Sequence, residues 1–351
     1  METTEIEAIR LEEPGRFQRI TIPEPARPGP GEALVRVHRI GICGTDIHAY
    51  LGNQPFYTYP RIPGHELGVE VVEVGADVTD VKPGDRCSVE PYLNCQTCIA
   101  CRRGRTNCCR SLQVLGVHTD GGMRPLFIVP ARKLHKSDTL STDQLALVET
   151  LGIGCHAVGR GQPEAGENVL VIGAGPIGLS VILFARLAGS RITVLDLNRK
   201  RLDFCLQAMG VDHTIVADEE AFKTIEDLTD GDMPTVVFDA TGSPRSMCNA
   251  FNYVAHTGKL VFVGLVTSEI TFADPMLHAR EITLLASRNA RPDEFKRIIH
   301  LIEDGSIDTR AWITHRTSFD AIATDFPQYT QPETGVIKAV VEIRLDGGAS
   351  G

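Results

Sequence analysis

The alternation of apolar and polar positions gives the first 148 residues a β character. The segment 32–40 alternates polar and apolar residues, as a half-buried strand does, and the segment 67–75 has the same character. A turn at 82–85 and a further short strand at 86–89 follow. Short strands separated by frequent turns predict a small, barrel-like β domain over residues 1–148.

Near residue 143 the pattern changes to helices alternating with short apolar strands. Such alternation predicts parallel βαβ units and a doubly wound sheet, which we place at residues 149–290. The predicted helices are 144–160 and 177–187, and the predicted strands are 168–172, 191–195, 236–238 and 260–263.

The last part of the chain, 291–351, leaves this rhythm. It contains one predicted helix at 293–303 and a strand-like piece at 337–343. We expect this part to return to the first domain and residues 346–351 to be disordered.

Composition and charge exclude several classes of protein. The chain has 351 residues, 42% of them hydrophobic and 23% charged, which suffices for two buried cores without disulfides. The net charge is −10 and the basic run 102–105 is short, so we expect no nucleic-acid partner. Residues 1–10 do not form a targeting signal, and no apolar run approaches the roughly 18 residues that span a bilayer. We therefore expect a cytoplasmic protein without membrane contact.

Four of the ten cysteines form a tight cluster with the spacing C-x2-C-x2-C-x7-C. In a reducing compartment such a cluster indicates a metal site rather than disulfides. Four thiolates can surround one zinc ion tetrahedrally and leave no position for substrate, so we predict a structural zinc in a lobe at about residues 90–112. The ligands are Cys95, Cys98, Cys101 and Cys109, with Cys108 as a less suitable alternative to Cys109.

Two further motifs carry zinc-ligand chemistry. Cys43 begins the run Cys-Gly-Thr-Asp-Ile-His, and His65 is followed by Glu66. Each motif is weak alone, but beside a four-cysteine lobe they predict a second, catalytic zinc. Zinc with an open position lowers the pKa of an alcohol hydroxyl, and Thr45 and His48 stand where they could move the proton away.

A glycine-rich turn between a predicted strand and helix indicates a dinucleotide site. Asp196 ends the next strand, 18 residues after the last glycine, and its carboxylate favours NAD over NADP. Arg201 either covers the adenine or is a solvated helix charge. The motif comprises Gly173, Gly175, Pro176, Ile177 and Gly178.

Together these pieces resemble the zinc-containing medium-chain alcohol dehydrogenase family, nearest its polyol (sorbitol), sugar-acid and L-threonine dehydrogenase branch. The matching segments are 41–48, 63–66, the four-cysteine lobe, 148–149 and 173–178. The resemblance implies an α/β protein in which a GroES-like, β-barrel-type catalytic domain is combined with a Rossmann cofactor domain. It also implies two zinc ions per chain, NAD, and a homodimer or homotetramer.

The resemblance assigns roles to the residues of the predicted catalytic site. Cys43 and His65 would bind the catalytic zinc. The third ligand is either Glu66 or Glu149, which stands where other members of the family carry a second cysteine. Thr45 would hydrogen-bond the substrate oxygen, and His48 would pass its proton to solvent.

The resemblance also indicates cofactor and substrate contacts. Lys338 is expected to reach the pyrophosphate. Arg288 and Tyr50 match substrate-contacting positions of the polyol branch, although Arg288 could instead bind only the cofactor. Val263, Gly264, Leu265 and Ser287 occupy positions at which the family's backbone meets the nicotinamide.

We therefore expect a small polyhydroxylated substrate, namely a sugar acid (an aldonate such as galactonate) or a polyol, oxidised at a secondary alcohol to the ketone. L-Threonine 3-dehydrogenase is the main alternative. A non-catalytic binding protein on the same scaffold remains open. A metal-free quinone reductase is disfavoured because that class lacks both cysteine sets.

Overall fold

The computed structural model describes residues 4–343, so the tail predicted to be disordered, 346–351, lies outside the described residues. The chain forms two compact units. The first contains the residues up to Glu149 together with those from Arg291 onward, and the second is Thr150–Ala290. Glu149 thus belongs to the first unit, one residue away from the predicted boundary.

Strands predominate up to residue 137, and from residue 142 onward helices alternate with short strands. The strands are β1 (Glu5–Glu13), β2 (Arg16–Pro23), β3 (Glu32–Ile42), β4 (Glu66–Val74), β5 (Arg86–Val89), β6 (Tyr92–Leu93), β7 (Gln113–Val114), β8 (Leu126–Pro130), β9 (Leu134–Ser137), β10 (Asn168–Ile172), β11 (Arg191–Asp196), β12 (His213–Val216), β13 (Val236–Asp239), β14 (Lys259–Phe262), β15 (Thr283–Ala286), β16 (Ile313–Ser318) and β17 (Lys338–Glu342). The helices are α1 (Gly44–Tyr50), α2 (Ile99–Arg102), α3 (Thr142–Gly161), α4 (Pro176–Leu187), α5 (Arg199–Phe204), α6 (Ala221–Leu228), α7 (Pro244–Ala250), α8 (Asp274–Ala279), α9 (Pro292–Glu303) and α10 (Ile322–Tyr329).

The first unit is built on a seven-stranded sheet. Its strand order is β16-β17-β3-β4-β5-β9, and β8 pairs with β3 outside this path. β17 runs antiparallel to β3, so the last part of the chain completes the sheet begun by the first part. The apolar positions of β3 and β4, including Val35, Val37 and Val69, are fully buried in its core. Two smaller antiparallel pairs, β1–β2 and β6–β7, complete the strands of this unit.

The antiparallel register of β3 and β4 brings the two predicted zinc motifs together. Gly41, near the end of β3, pairs with Glu66, the first residue of β4. Cys43 follows β3 and His65 precedes β4, so both lie at this end of the sheet. A Cβ atom on residue 41 would lie 2.0 Å from Glu66 Oε2, and glycine is therefore required there.

The second unit contains a six-stranded, wholly parallel sheet in the order β12-β11-β10-β13-β14-β15. Numbered from the first strand of this unit, the order is 3-2-1-4-5-6, that of a dinucleotide-binding Rossmann sheet. The predicted doubly wound parallel sheet is therefore confirmed. Because all strands are parallel, their carboxyl ends share one edge, with the strand order reversing between β10 and β13.

Helix α3 is the longest element within residues 4–343, with 20 residues. It carries charged residues and is only moderately hydrophobic. In the part of the chain described, no helix combines the length and the apolar character needed to cross a lipid bilayer.

Candidate metal centres and cofactor-binding edge

The four predicted structural ligands lie together in the loop that joins β6 to β7. The sulfur atoms of Cys95, Cys98, Cys101 and Cys109 all lie within 4.8 Å of one another. Cys98 Sγ is 3.6 Å from Cys101 Sγ and 3.9 Å from Cys109 Sγ. Cys108 is exposed and outside this group, which agrees with the preference for Cys109.

Hydrogen bonds and burial shift the pKa values of the lobe thiols in opposite directions, and both effects favour a bound cation. The Thr97 hydroxyl, with backbone N–H groups, lowers the pKa of Cys95 to about 5. Burial raises the pKa of Cys109 to about 11, so a fourth thiolate needs a positive charge beside it. Four sulfur ligands at these separations suit a tetrahedral zinc ion.

A second group of possible ligands lies where β3 and β4 meet. Ligand atoms of Cys43, His65 and Glu66 lie within 4.8 Å of one another. Cys43 is the N-cap residue of α1, and Glu66 is completely buried at the start of β4. The structure therefore brings together the two sequence motifs that were predicted to form one site.

Asp46, which the sequence analysis did not assign, supports this group. Its Oδ2 atom accepts a hydrogen bond from the Cys43 N–H at 2.9 Å, and its Oδ1 lies 3.8 Å from His65 Nδ1. Both side chains are buried, and within residues 4–343 neither Oδ1 nor Nδ1 has a hydrogen-bond partner. Burial alone would lower the pKa of His65, but Asp46 and Cys43 raise it well above its ordinary value. The field at this place thus favours a cation.

Glu66 forms a buried ion pair with Lys338. The Lys338 ammonium lies 2.6 and 2.8 Å from the two carboxylate oxygens and donates to the Ile42 carbonyl at 3.3 Å. Burial alone would lower the pKa of Lys338, but Glu66 raises it above its ordinary value. Lys338 is 1% exposed. Because this ammonium is buried in the first unit and held on Glu66, its position does not support the predicted contact with the pyrophosphate.

Glu149, the alternative third ligand, lies outside the three-residue group but close to it. It is buried in the first half of α3, and the Tyr92 hydroxyl donates a hydrogen bond to its Oε1 atom. Burial raises the pKa of the Glu149 carboxyl, while His65 lowers it in part. Tyr92 was not predicted, and an aromatic residue before a cysteine lobe gives no sequence signal for such a contact.

Helix α1 carries three other predicted residues. Thr45 lies in its first turn. His48 is exposed, and its Nδ1 is 2.8 Å from Asn53 Oδ1. The Tyr50 ring stacks on Phe17 at 5.6 Å and lies 5.0 Å from Phe326. This aromatic packing gives Tyr50 a structural role and does not support its predicted contact with substrate.

The glycine motif forms the turn from β10 to α4 in the second unit. Gly173 has φ +100°, and a Cβ atom on Gly178 would lie 1.7 Å from the Gly173 carbonyl oxygen. Asp196 ends the neighbouring β11 and accepts hydrogen bonds from the N–H groups of Ala174 at 2.6 Å and Asn198 at 2.7 Å. Its carboxylate is thus fixed against the glycine turn.

Arg201 lies beside this turn as well. One guanidinium nitrogen is 3.8 Å from the point that a Cβ atom on Gly175 would occupy. Pro176 and Ile177 begin α4 and are half-buried. The helix start, the glycines and one arginine therefore lie together at the sheet edge, where a helix N-terminus favours negative charge.

The remaining predicted residues follow the carboxyl ends of β14 and β15. Val263 and Gly264 donate their N–H groups to the Asp239 carbonyl, and Leu265 is 62% exposed. The Ser287 hydroxyl is buried without a hydrogen-bond partner in residues 4–343. Arg288 is exposed. The parallel strands place these residues at the same edge as the glycine turn.

The fold and the two ligand groups define a zinc-type dehydrogenase. The family profile described as an alcohol dehydrogenase GroES-like domain matches residues 29–139, and the one described as a zinc-binding dehydrogenase matches residues 176–304. The chain belongs to the zinc-containing medium-chain alcohol dehydrogenase family. The predicted resemblance and the predicted domain types are confirmed.

Individual relatives cover almost the whole chain. L-galactonate-5-dehydrogenase from Escherichia coli (strain K12) is 38% identical, covering 90% of this chain and 92% of its own. L-threonine 3-dehydrogenase from Pyrococcus horikoshii is 30% identical, covering 94% and 97%. The crystal structure of an alcohol dehydrogenase (rspB) from E. coli CFT073 in complex with NADH is 28% identical, covers 97% and 99%, and has a TM-score of 0.90.

Proposed function

We propose that this protein is a zinc-dependent, NAD-linked dehydrogenase that oxidises a secondary alcohol of a sugar acid, such as the aldonate galactonate, or of a polyol to the ketone. The observation that carries the proposal is the pair of ligand groups in one unit. One group consists of four thiols and is closed. The other, formed by Cys43, His65 and Glu66, combines three kinds of ligand and so suits a catalytic zinc.

The residues around the second group fit a bound zinc. Asp46 Oδ1 lies 3.8 Å from His65 Nδ1, and a carboxylate beside one ring nitrogen suits a histidine that ligates a metal through the other. A zinc ion there would supply Lewis-acid stabilisation of the charge that develops on an alcohol oxygen. Glu66 and Glu149 both lie near, the first paired with an ammonium and the second with a neutral hydroxyl.

Proton removal falls to residues of α1. Oxidation takes a hydride from carbon, which NAD⁺ accepts, and a proton from oxygen, so the site needs a route for that proton. Thr45 would hydrogen-bond the substrate hydroxyl. His48, exposed and oriented by Asn53, would release the proton to water.

Asp196 supports NAD rather than NADP. A carboxylate at the end of the second strand accepts hydrogen bonds from ribose hydroxyls and repels a 2′-phosphate. The hydrogen bonds from Ala174 and Asn198 fix it in this place.

The substrate class is supported by Arg288 and by the relatives. An exposed guanidinium can bind a carboxylate through two parallel hydrogen bonds, which suits a sugar acid. The chain is 38% identical to L-galactonate-5-dehydrogenase but 30% identical to the L-threonine 3-dehydrogenase from Pyrococcus horikoshii, which favours a sugar acid over threonine as the substrate.

The experiment combines zinc analysis with a substrate panel. Wild-type protein should contain two zinc ions per chain and reduce NAD⁺ most efficiently with an aldonate or polyol. Cys43→Ala should contain one zinc ion per chain and lose turnover. Cys248→Ala, a control in the second unit, should retain two zinc ions and turnover. Fewer than two zinc ions in the wild type, or turnover by Cys43→Ala, would contradict the catalytic site. A preference for L-threonine would overturn the substrate class alone.

We also propose that the protein is a homodimer or homotetramer built through the edge of the parallel sheet. β15 is the last strand of that sheet, and Leu284 on it is 42% exposed. An edge strand that carries an exposed apolar side chain suits pairing with a second copy of the chain. Light scattering should show an oligomer that Leu284→Lys weakens. A monomeric wild type would contradict this.

A further inference from the structure

The Tyr92 hydroxyl donates to Glu149 beside the proposed catalytic site, and the scheme above gives it no role. We propose that Tyr92 is a positioning residue, which fixes the Glu149 carboxylate beside Cys43 and His65 and is itself held by the cysteine lobe. The inference rests on the proposed function and deepens it.

The contact between Tyr92 and Glu149 is direct and enclosed. The phenol hydroxyl donates to Glu149 Oε1, and the two side chains are 1% and 4% exposed. A carboxylate oxygen accepts hydrogen bonds, so the phenol hydroxyl is the donor in this pair. A hydrogen bond to one oxygen of a planar carboxylate also fixes the direction of the other. Tyr92 therefore sets the orientation that Glu149 presents to a metal or its bound water.

The Tyr92 ring is held from the side by a buried stack. Phe295 of α9 meets it edge-on at 6.3 Å and stacks on His135 at 5.0 Å. His135 Nε2 lies 3.2 Å from a carboxylate oxygen of Glu90, which also pairs with Lys133. All these groups are buried, so rotation of the phenol away from Glu149 would require this packing to open.

The backbone of Tyr92 is continuous with the cysteine lobe. Tyr92 belongs to β6 and pairs with Val114 of β7, and all four lobe cysteines lie between these strands. Asn94 donates to Cys101 Sγ at 3.4 Å and accepts from Arg132 at 2.8 Å. A metal that closes the lobe therefore also fixes the strand from which Tyr92 extends. The structural site thereby gains a role in aligning the catalytic one.

Residues that orient metal ligands typically contribute about 10- to 100-fold to metal affinity or activity. Tyr92→Phe removes only the hydroxyl and keeps the ring that packs on Phe295. We expect zinc to leave the catalytic site of the Tyr92→Phe holoenzyme about 10-fold faster, and kcat to fall about 10-fold with a smaller change in KM. The lobe zinc should leave at the wild-type rate.

The test is a double-mutant cycle on the zinc-loaded protein with Tyr92→Phe, Glu149→Gln and the combination. Zinc release is followed with a chromogenic chelator, and the visible spectrum of the cobalt-substituted site reports its ligand geometry. Tyr253→Phe is the matched control, because Tyr253 is a buried tyrosine that accepts a hydrogen bond from Asn249 in the second unit. It should leave all these readouts unchanged.

If Tyr92 acts through Glu149, Tyr92→Phe shifts the cobalt spectrum, and adding it to Glu149→Gln has no further effect. Wild-type zinc release and an unchanged spectrum in Tyr92→Phe would overturn the proposal, as would effects that simply add. A Tyr92→Phe protein that fails to fold would overturn it too, since the hydroxyl would then be needed for folding rather than for alignment. Failure of the proposed function is distinguished in the wild type itself, by a missing second zinc or missing turnover.

Discussion

Replacing Lys338 by methionine removes the cation from Glu66 and leaves a carboxylate in the core of the first unit. Methionine keeps the length of the chain but cannot donate a hydrogen bond. At 2.6 Å, with an effective dielectric of about 20, the attraction between the two charges is about 6 kcal/mol. Desolvation of both ions offsets part of this, and removing one partner of a buried pair costs about 3–5 kcal/mol in practice. We expect a loss of that size in the free energy of unfolding.

Urea unfolding followed by tryptophan fluorescence measures this loss of unfolding free energy in the part of the chain that contains the ion pair. Trp312 is the single tryptophan of the chain, is buried, and belongs to the first unit. Zinc is removed beforehand, so that no metal takes the place of the ammonium. Lys136→Met is the control, because Lys136 is exposed and only loosely paired with Asp138, and its effect should stay below about 1 kcal/mol.

A second substitution separates the ion pair from the loss of packing. Replacing both partners of a buried pair by apolar residues of similar size is often nearly neutral. Glu66→Met combined with Lys338→Met should therefore recover most of the stability lost by Lys338→Met alone. A wild-type unfolding midpoint in Lys338→Met, or a double variant as unstable as the single one, would refute the reasoning.

Three further predictions concern the lobe, the cofactor and acid stability. Cys98→Ser should remove one zinc per chain and lower the melting temperature; an unchanged melting curve in calorimetry would count against the structural lobe. Asp196→Ser should reduce the preference for NAD⁺ over NADP⁺ by at least 10-fold in kcat/KM, since it removes the charge that repels a 2′-phosphate; equal discrimination would exclude this role. Burial alone would raise the pKa of the Asp143 carboxyl, but Arg316 and Arg39 lower it below 3.8 in the folded protein. The ionised carboxylate therefore stabilises the fold at pH values above 3.8. This stabilisation is lost as the pH falls through the pKa of the folded state. Asp143→Asn should thus cost about 1 kcal/mol near neutral pH, with the difference from wild type vanishing in acid, as pH-dependent urea titrations can show.

Local patterns predicted much of the fold. The strand expected at 168–172 coincides with β10, and the helix expected at 293–303 begins one residue earlier as α9. These elements carry strong periodic signals within a few residues. The β1–β2 hairpin was not predicted, since every residue of β2 is exposed or only half-buried and its apolar signal is weak.

The residues of the candidate site likewise include some that the sequence predicted and others that it could not. The lobe cysteines and the pair of Cys43 and His65 were predictable because ligand spacing is local or conforms to a family motif. Asp46 could have been found, since an acidic residue three positions after a helix N-cap is a known capping signal. The partners of Lys338 and Tyr92 could not be predicted, because Lys338 lies 272 residues from Glu66 and Tyr92 lies 57 residues from Glu149. Only the folded sheet shows which charges meet.

Glu66 and Lys338 are in contact in the structure but far apart in the sequence, and this has a consequence for folding during synthesis of the chain. The second unit is one continuous stretch, whereas the sheet of the first unit needs β17, which the ribosome makes after everything else in it. A nascent chain thus carries Glu66, Cys43 and His65 long before the ammonium that offsets the charge of Glu66. Burial of that carboxylate is unfavourable until β17 docks beside β3. The metal-binding end of the sheet is therefore completed only after β17, the last of its described strands, has been translated.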